Sequence, residues 1–304
     1  MSIFKVNKLV TLTGHNDCIY ALTEGANPRY FYTGSADGMV VEWDLDAPKN
    51  GKLIARLPHS VYALHVDHAR NLLFIGHNFE GIHVIDLKES KEIWSIKLTD
   101  QAIFDIAIYG DEGYIGCGDG VMIVVDIPSK SVKKHIKLGE KSIRVFALAY
   151  DKKHLAVGMS DHSITILDLN QDLKPIQSLL GHTNSVFALA YSLDESVLVS
   201  GSRDARLKIW GTADYTLSET IVAHMYAINY ISFRGHGDYL VSCSMDKSIK
   251  IWDISARKLL KVIDKARNAG HSTSINKVIW SKYNDTIVSV SDDRTISIWQ
   301  IEKI

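Results

Sequence analysis

Four times in this chain a histidine, a hydroxyl, an aspartate and a tryptophan recur at one spacing. The sets are His15, Thr33, Asp37 and Trp43; His182, Ser200, Asp204 and Trp210; His224, Ser242, Asp246 and Trp252; and His271, Ser289, Asp293 and Trp299. Histidine, serine and aspartate are the residue types of nucleophilic acyl transfer, in which the imidazole takes the hydroxyl proton and the carboxylate orients the imidazole. Such chemistry needs one convergent cluster in one pocket. Four equivalent sets, with Trp always six residues after Asp, fit a repeated structural unit instead. A buried imidazole or indole N–H without a partner costs about 1–3 kcal/mol, which is reason enough to repeat the set.

The elements that would position these residues are themselves repeated. The fifth copy reads GHTNSVFALAYSLDESVLVSGSRDARLKIW (181–210) and the last GHSTSINKVIWSKYNDTIVSVSDDRTISIW (270–299). Three worn copies end GIHVID, GVMIVVD and HSITILD, so that Trp or its substitute falls at 43, 85, 125, 167, 210, 252 and 299. A period near 42 residues, with Gly-His near the start and Trp-Asp at the end, resembles the WD40-repeat family. The resemblance covers essentially the whole chain. It implies an all-β, seven-bladed β-propeller of four-stranded antiparallel blades, a single domain over 1–304. It also implies that the four sets are buried tetrads, Asp to His, His to hydroxyl, hydroxyl to indole.

Each copy splits into four strand-like runs, as in SVFALAYS, SVLVSGS, RLKIWG and TLSETIVA, separated by turns that carry an Asp. The fourth runs are Lys-rich in six of seven copies, the charge expected on an outer edge that must not pair with another chain. The chain stops after a third run and starts with a fourth, so residues 5–12 are expected to complete the last blade. In the worn copies Ile85, Val125 and Leu167 replace Trp, His59 is displaced, Glu80-Gly81 stands where Asp-Gly is expected, and Asp119 and Asp161 lack their His. Replacing polar partners together by apolar groups is nearly neutral, so these blades are expected to fold.

Composition excludes several functions. The 34 basic and 35 acidic side chains leave a net charge of −1, with no basic stripe for nucleic acid. No run is long and apolar enough for a membrane helix, and the first 15 residues lack the core of a signal peptide. Cys18, Cys117 and Cys243 lie in different copies with no metal spacing, giving the expectation of a reduced, cytoplasmic protein without cofactor or metal. His65 and His68, and His77 and His83, are placed on different faces or loops, and GYIGCGDG (113–120) reads as strand and turn rather than a phosphate loop.

Function is expected on one propeller face. In the family, residues one and three after the His, and the one before the turn Asp, point into the usual partner platform. Carried over, these are Asn16, Cys18 and Ala36; Thr183, Ser185 and Arg203; Met225, Ala227 and Met245; and Ser272, Ser274 and Asp292. Aligning first strands adds Ser60, Asp100, Ala102, Ser142, Arg144 and Ser160, with Phe79 projecting in blade two. Arg and Met favour interface cores. Arg144 and Arg203 either pair with carboxylates such as Asp100 and Asp292 or meet an acidic or phosphorylated ligand. The insertion at 264–269 is a tolerated loop or a binding element. The reading is a non-enzymatic scaffold for a protein or peptide partner, the alternatives being a phosphopeptide reader using Arg144 and Arg203, or a channel-mouth enzyme.

Overall fold

A computed structural model describes residues 4–235 and 239–303. They form seven four-stranded antiparallel sheets, the blades of a β-propeller. Blades one to six each use four consecutive strands in simple order. Two compact units emerge from the packing: residues 62–223, with blades two to five, and residues 1–61 with 224–304, with blades one, six and seven.

The burial of the strands follows their place in the blade. Second strands such as Leu72–His77 and Thr286–Ser291 are buried along their whole length, whereas fourth strands such as Lys91–Lys97 and Ser131–Lys137 are mostly exposed. Apolar side chains of adjacent blades interdigitate between the sheets. In the 62–223 unit Phe74 and Ile82 meet Ile103, Ile115 and Ile123, and Val145 and Ile164 meet Val186 and Trp210. In the other unit Val241 and Ile249 meet Ile275, Trp280, Trp299 and Phe4. Each fully buried aliphatic or aromatic side chain contributes about 1.5–3 kcal/mol.

Blade seven is completed by the N-terminal strand, as the order of runs suggested. Phe4–Leu12 pairs antiparallel with Ile296–Lys303, from Phe4 opposite Lys303 to Leu12 opposite Ile296. Phe4 is buried, edge-on to Tyr239 at 5.1 Å and Trp280 at 6.0 Å between ring centroids. The strand is therefore both hydrogen-bonded and packed into the core.

The first strand of a blade carries one recurring irregularity. A register shift falls between Ile19 and Ala21, Ile103 and Asp105, Ile143 and Val145, Val186 and Ala188, Ile228 and Tyr230, and Ile275 and Lys277. A β-bulge leaves its extra residue out of the ladder and re-aims its side chain. The residues so treated are Tyr20, Phe104, Arg144, Phe187, Asn229 and Asn276.

The turns between second and third strands explain two glycines. Gly38 and Gly120 have φ of 75° and 82°, and a Cβ would lie 2.0 Å from the Leu57 carbonyl oxygen and 2.2 Å from that of Gly139. Only glycine fits both the conformation and the space.

Candidate functional site

Three of the four repeated sets are built as complete buried hydrogen-bonded chains. In blade five the Trp210 indole donates to Ser200 Oγ (2.9 Å), Ser200 Oγ lies 2.8 Å from His182 Nε2, and His182 Nδ1 lies 2.9 Å from Asp204. Blade six repeats this through Trp252, Ser242, His224 and Asp246 at 2.9, 2.7 and 2.8 Å. Blade one does so through Trp43, Thr33, His15 and Asp37 at 2.8, 2.8 and 3.3 Å. One proton arrangement satisfies every member: the hydroxyl donates to Nε2, and Nδ1–H donates to the carboxylate.

Each aspartate also ties two loops together. Asp204 accepts from the Thr183 and Arg206 amides, and Asp37 from those of Asn16 and Met39. Burial opposes ionisation of these carboxylates. The His182 bond and the two amides nevertheless hold Asp204 down to about 2, and the same partners lower Asp37, Asp246 and Asp293. Burial pushes His15 and His224 below the ordinary imidazole value against the pull of Asp37 and Asp246, so both rings stay neutral. The serine hydroxyl, already donor and acceptor within the chain, is committed to structure.

Blade seven departs from the expectation. His271 bonds Ser289 (2.8 Å) and Asp293 (3.1 Å), but the Trp299 indole donates to the Asn268 carbonyl at 3.5 Å instead of to Ser289. The cause is the insertion at 264–269. Asp264 caps a one-turn helix, Lys265–Asn268, and Lys8 of the N-terminal strand donates to the Ala269 carbonyl while lying 5.6 Å over the Trp299 ring. The insertion is folded against the closing strand.

Blades two to four replace the chain with apolar contacts. Ile75, Ile115 and Val157 occupy the hydroxyl position and Ile85, Val125 and Leu167 the indole position, all buried. Asp119 and Asp161 keep only the turn, accepting from the amides of Val121 and Ser163. In blade two the register differs from the sequence reading. The Glu80 amide donates to the His77 carbonyl as the Gly38 amide does to Ser35, so Phe79, not Glu80, stands at the aspartate position. Phe79 has φ 63° and is 53% exposed.

The partner-face residues separate into paired and unpaired. Asp100 pairs with Lys97 at 3.0 Å, and Asp292 accepts from Asn276 Nδ2 at 2.7 Å, so neither neutralises an arginine. The Cys18 thiol points to the Asp292 carbonyl at 3.6 Å. Ser142 and Ser185 donate to the carbonyls of Gly118 and Ser160. Arg203 is exposed and makes no ion pair among the described residues. Met225 is 81% and Met245 56% exposed, beside exposed Tyr226. Their backbone is fixed, since the Met225 amide donates to Asp246 and the Met245 amide to the Ala227 carbonyl.

Arg144 does not belong in the register assigned from sequence. It is the bulge residue, equivalent to Tyr20 and Phe187, while Ser142 is equivalent to Cys18 and Ser185. Its guanidinium carbon lies 3.8 Å from the Phe104 ring centroid and 4.9 Å from that of Phe187, and Tyr62 stacks on Phe104 at 5.7 Å. Sequence reading missed this aromatic pair; the signal was an aromatic directly after the first apolar residue of the first strand in blades one, two, three and five, at Tyr20, Tyr62, Phe104 and Phe187. Another correction concerns His77 and His83, whose rings meet at 5.4 Å between centroids rather than on separate faces. Among the described residues no three metal-ligating side chains cluster. Cys117 and Cys243 are buried thiols, raised by burial.

Comparison with known proteins places these features. The family model WD40, described as WD domain, G-beta repeat, matches residues 6–44, 173–211, 215–253 and 260–300. The chain is 25% identical over 251 residues to the WD repeat-containing protein 26 homolog of Arabidopsis thaliana, covering 80% of this chain and 42% of that protein. It is 23% identical to the 66 kDa stress protein of Physarum polycephalum (86% and 43%) and 28% identical to Pre-mRNA-processing factor 19 of Bos taurus (45% and 28%). This chain thus spans less than half the length of these relatives.

Proposed function

We propose, from the premise that this chain belongs to the WD40 family of WD domains and G-beta repeats, that it is a non-enzymatic scaffold, residues 1–304 serving as one interaction domain that takes a peptide or protein partner on one face. The observation that carries this is the pair of exposed methionines in blade six, Met225 and Met245, on turns whose amides are already bonded. Apolar side chains on a pre-ordered backbone bind with little loss of ordering entropy, and methionine adapts to an irregular partner surface. The polar sets that resemble catalytic triads are consumed in structure. A cytoplasmic setting belongs to the same reading, in keeping with three free cysteines and no disulfide among the described residues.

The phosphopeptide alternative has its own support, because neither Arg144 nor Arg203 has a carboxylate partner among the described residues. Both readings are tested by pull-down from cells of the source organism with wild type, Met225→Glu/Met245→Glu and Arg144→Glu/Arg203→Glu, after confirming that all melt alike. The scaffold reading expects one partner set to be lost with the methionine pair. Identical capture by all three proteins contradicts it.

A further inference from the structure

We propose that the Arg144 guanidinium, lying against the rings of Phe104 and Phe187, is a receptor for a carboxylate carried by an acidic peptide segment; this deepens the scaffold reading by naming the chemistry of its ligand.

The site is made by three bulges in neighbouring first strands, in blades three, four and five. Each bulge turns its side chain out of the ladder, so Phe104, Arg144 and Phe187 meet although none is close to another in sequence. The guanidinium carbon lies 3.8 and 4.9 Å from the two ring centroids. Cation–π contact of this kind attracts the guanidinium to the ring faces. It does not replace a counter-ion. Arg144 Nε is fully buried without a hydrogen bond, and the side chain makes no ion pair among the described residues.

A half-buried cation whose Nε is enclosed and which has no anion is an incomplete arrangement. Burial brings Arg144 down to about 10, with Tyr62 working weakly in the other direction, so it stays charged at neutral pH. The polar groups two residues earlier in blades four and five are unavailable, because Ser142 and Ser185 already donate to carbonyls. Arg144 is the uncommitted donor of this patch.

The chemistry of the donor points to a planar anion. The N–H bonds of a guanidinium lie in its plane, so an acceptor approaches at the edge. A carboxylate is planar, and its two oxygens accept in that plane. A phosphate also matches the fork, so the peptides below separate the two anions. A cationic ligand, which an aromatic pair ordinarily attracts, meets the charge of Arg144 there.

Fluorescence anisotropy on the full chain tests the proposal with fluorescein-labelled peptides. They are amidated hexaglutamate, amidated hexaglutamine, hexaglutamine with a free carboxyl terminus, amidated hexalysine and an amidated hexapeptide with one phosphoserine among glutamines. Hexaglutamate is expected to bind, to weaken with salt, and to lose at least tenfold in affinity in Arg144→Gln; neutral and lysine peptides are expected not to bind. Binding of the free-terminus peptide that Arg144→Gln abolishes also supports the site and assigns it to a chain-terminal carboxylate. Hexaglutamate binding that Arg144→Gln leaves unchanged, or tighter binding of the phosphoserine peptide, overturns it. In wild type, acetate is expected to move the Arg144 Nε–H resonance saturably, and a stationary resonance overturns the proposal without any variant. If peptide binding ignores Arg144 while Met225→Glu/Met245→Glu still abolishes partner capture, only this inference falls.

Discussion

Two polar arrangements in the 62–223 unit are opposites. In blade five the Asp204–His182–Ser200–Trp210 chain is buried and every member has its partner. In the first strands of blades three to five Arg144 lies against two rings, with Nε buried and unbonded. The first arrangement contains the residue types of a hydrolase, yet its hydrogen-bonding capacity is spent internally. The second contains no recognisable motif, yet it has capacity left over. Residue type therefore points to the wrong place, and satisfaction of hydrogen bonds points to the better one. The bulge position makes the same point in the other unit. There Asn229 donates to Ser274 Oγ and the Ile275 carbonyl, and Asn276 to the Ile19 carbonyl and Asp292, leaving no spare amide donor comparable to Arg144.

The comparison can be broken at several strengths. The largest effect is expected from deleting residues 1–12, which removes the outer strand of blade seven together with buried Phe4 and Leu12. The cooperative thermal transition should shift down by more than ten degrees or vanish; a shift of a few degrees contradicts the packing of that strand. Next comes Asp204→Ala, which strips His182 Nδ1 and the Thr183 and Arg206 amides of their acceptor. It should cost about 2–4 kcal/mol in urea unfolding without altering peptide binding. A loss below about 0.5 kcal/mol would show that the chain is not structural.

A smaller effect is expected from acid. His15 and His224 are lowered in the folded state, so below pH ~6.5 the unfolded chain binds more protons and stability falls as pH falls. Asp204, lowered to about 2, contributes stability above the ordinary carboxylate value near 3.8, and this is lost as pH falls through that interval toward 2. Unfolding free energy followed from pH 7 to 3 should decline throughout. A plateau from pH 7 to 5 would contradict neutral buried imidazoles.

Much of this was legible in the chain. The repeat spacing set the blade count, and the position of the first and last runs set the pairing of Phe4–Leu12 with Ile296–Lys303. The quartets were legible because His, hydroxyl, Asp and Trp recur in register. What was not legible depended on backbone irregularity. A bulge is one unpaired residue, and spacing counted from a histidine cannot reveal which side chain it re-aims; blade four has no such histidine, so Arg144 was placed in the wrong register. The Trp299 indole was misassigned for a similar reason, because the helix at Lys265–Asn268 brings a competing carbonyl that the repeat pattern does not contain. In blade two, Phe79 at the aspartate position was hidden by the Glu80-Gly81 pair beside it.

The most direct test of the claim that satisfied polar chains build this molecule while the unsatisfied cation works for it is one paired measurement. Melting temperature and hexaglutamate affinity are recorded for wild type, Asp204→Ala and Arg144→Gln. The account expects Asp204→Ala to lower melting and keep affinity, and Arg144→Gln to keep melting within about two degrees and lose affinity at least tenfold. Loss of melting temperature in Arg144→Gln with affinity intact, or loss of affinity in Asp204→Ala at a temperature where it remains folded, would contradict it.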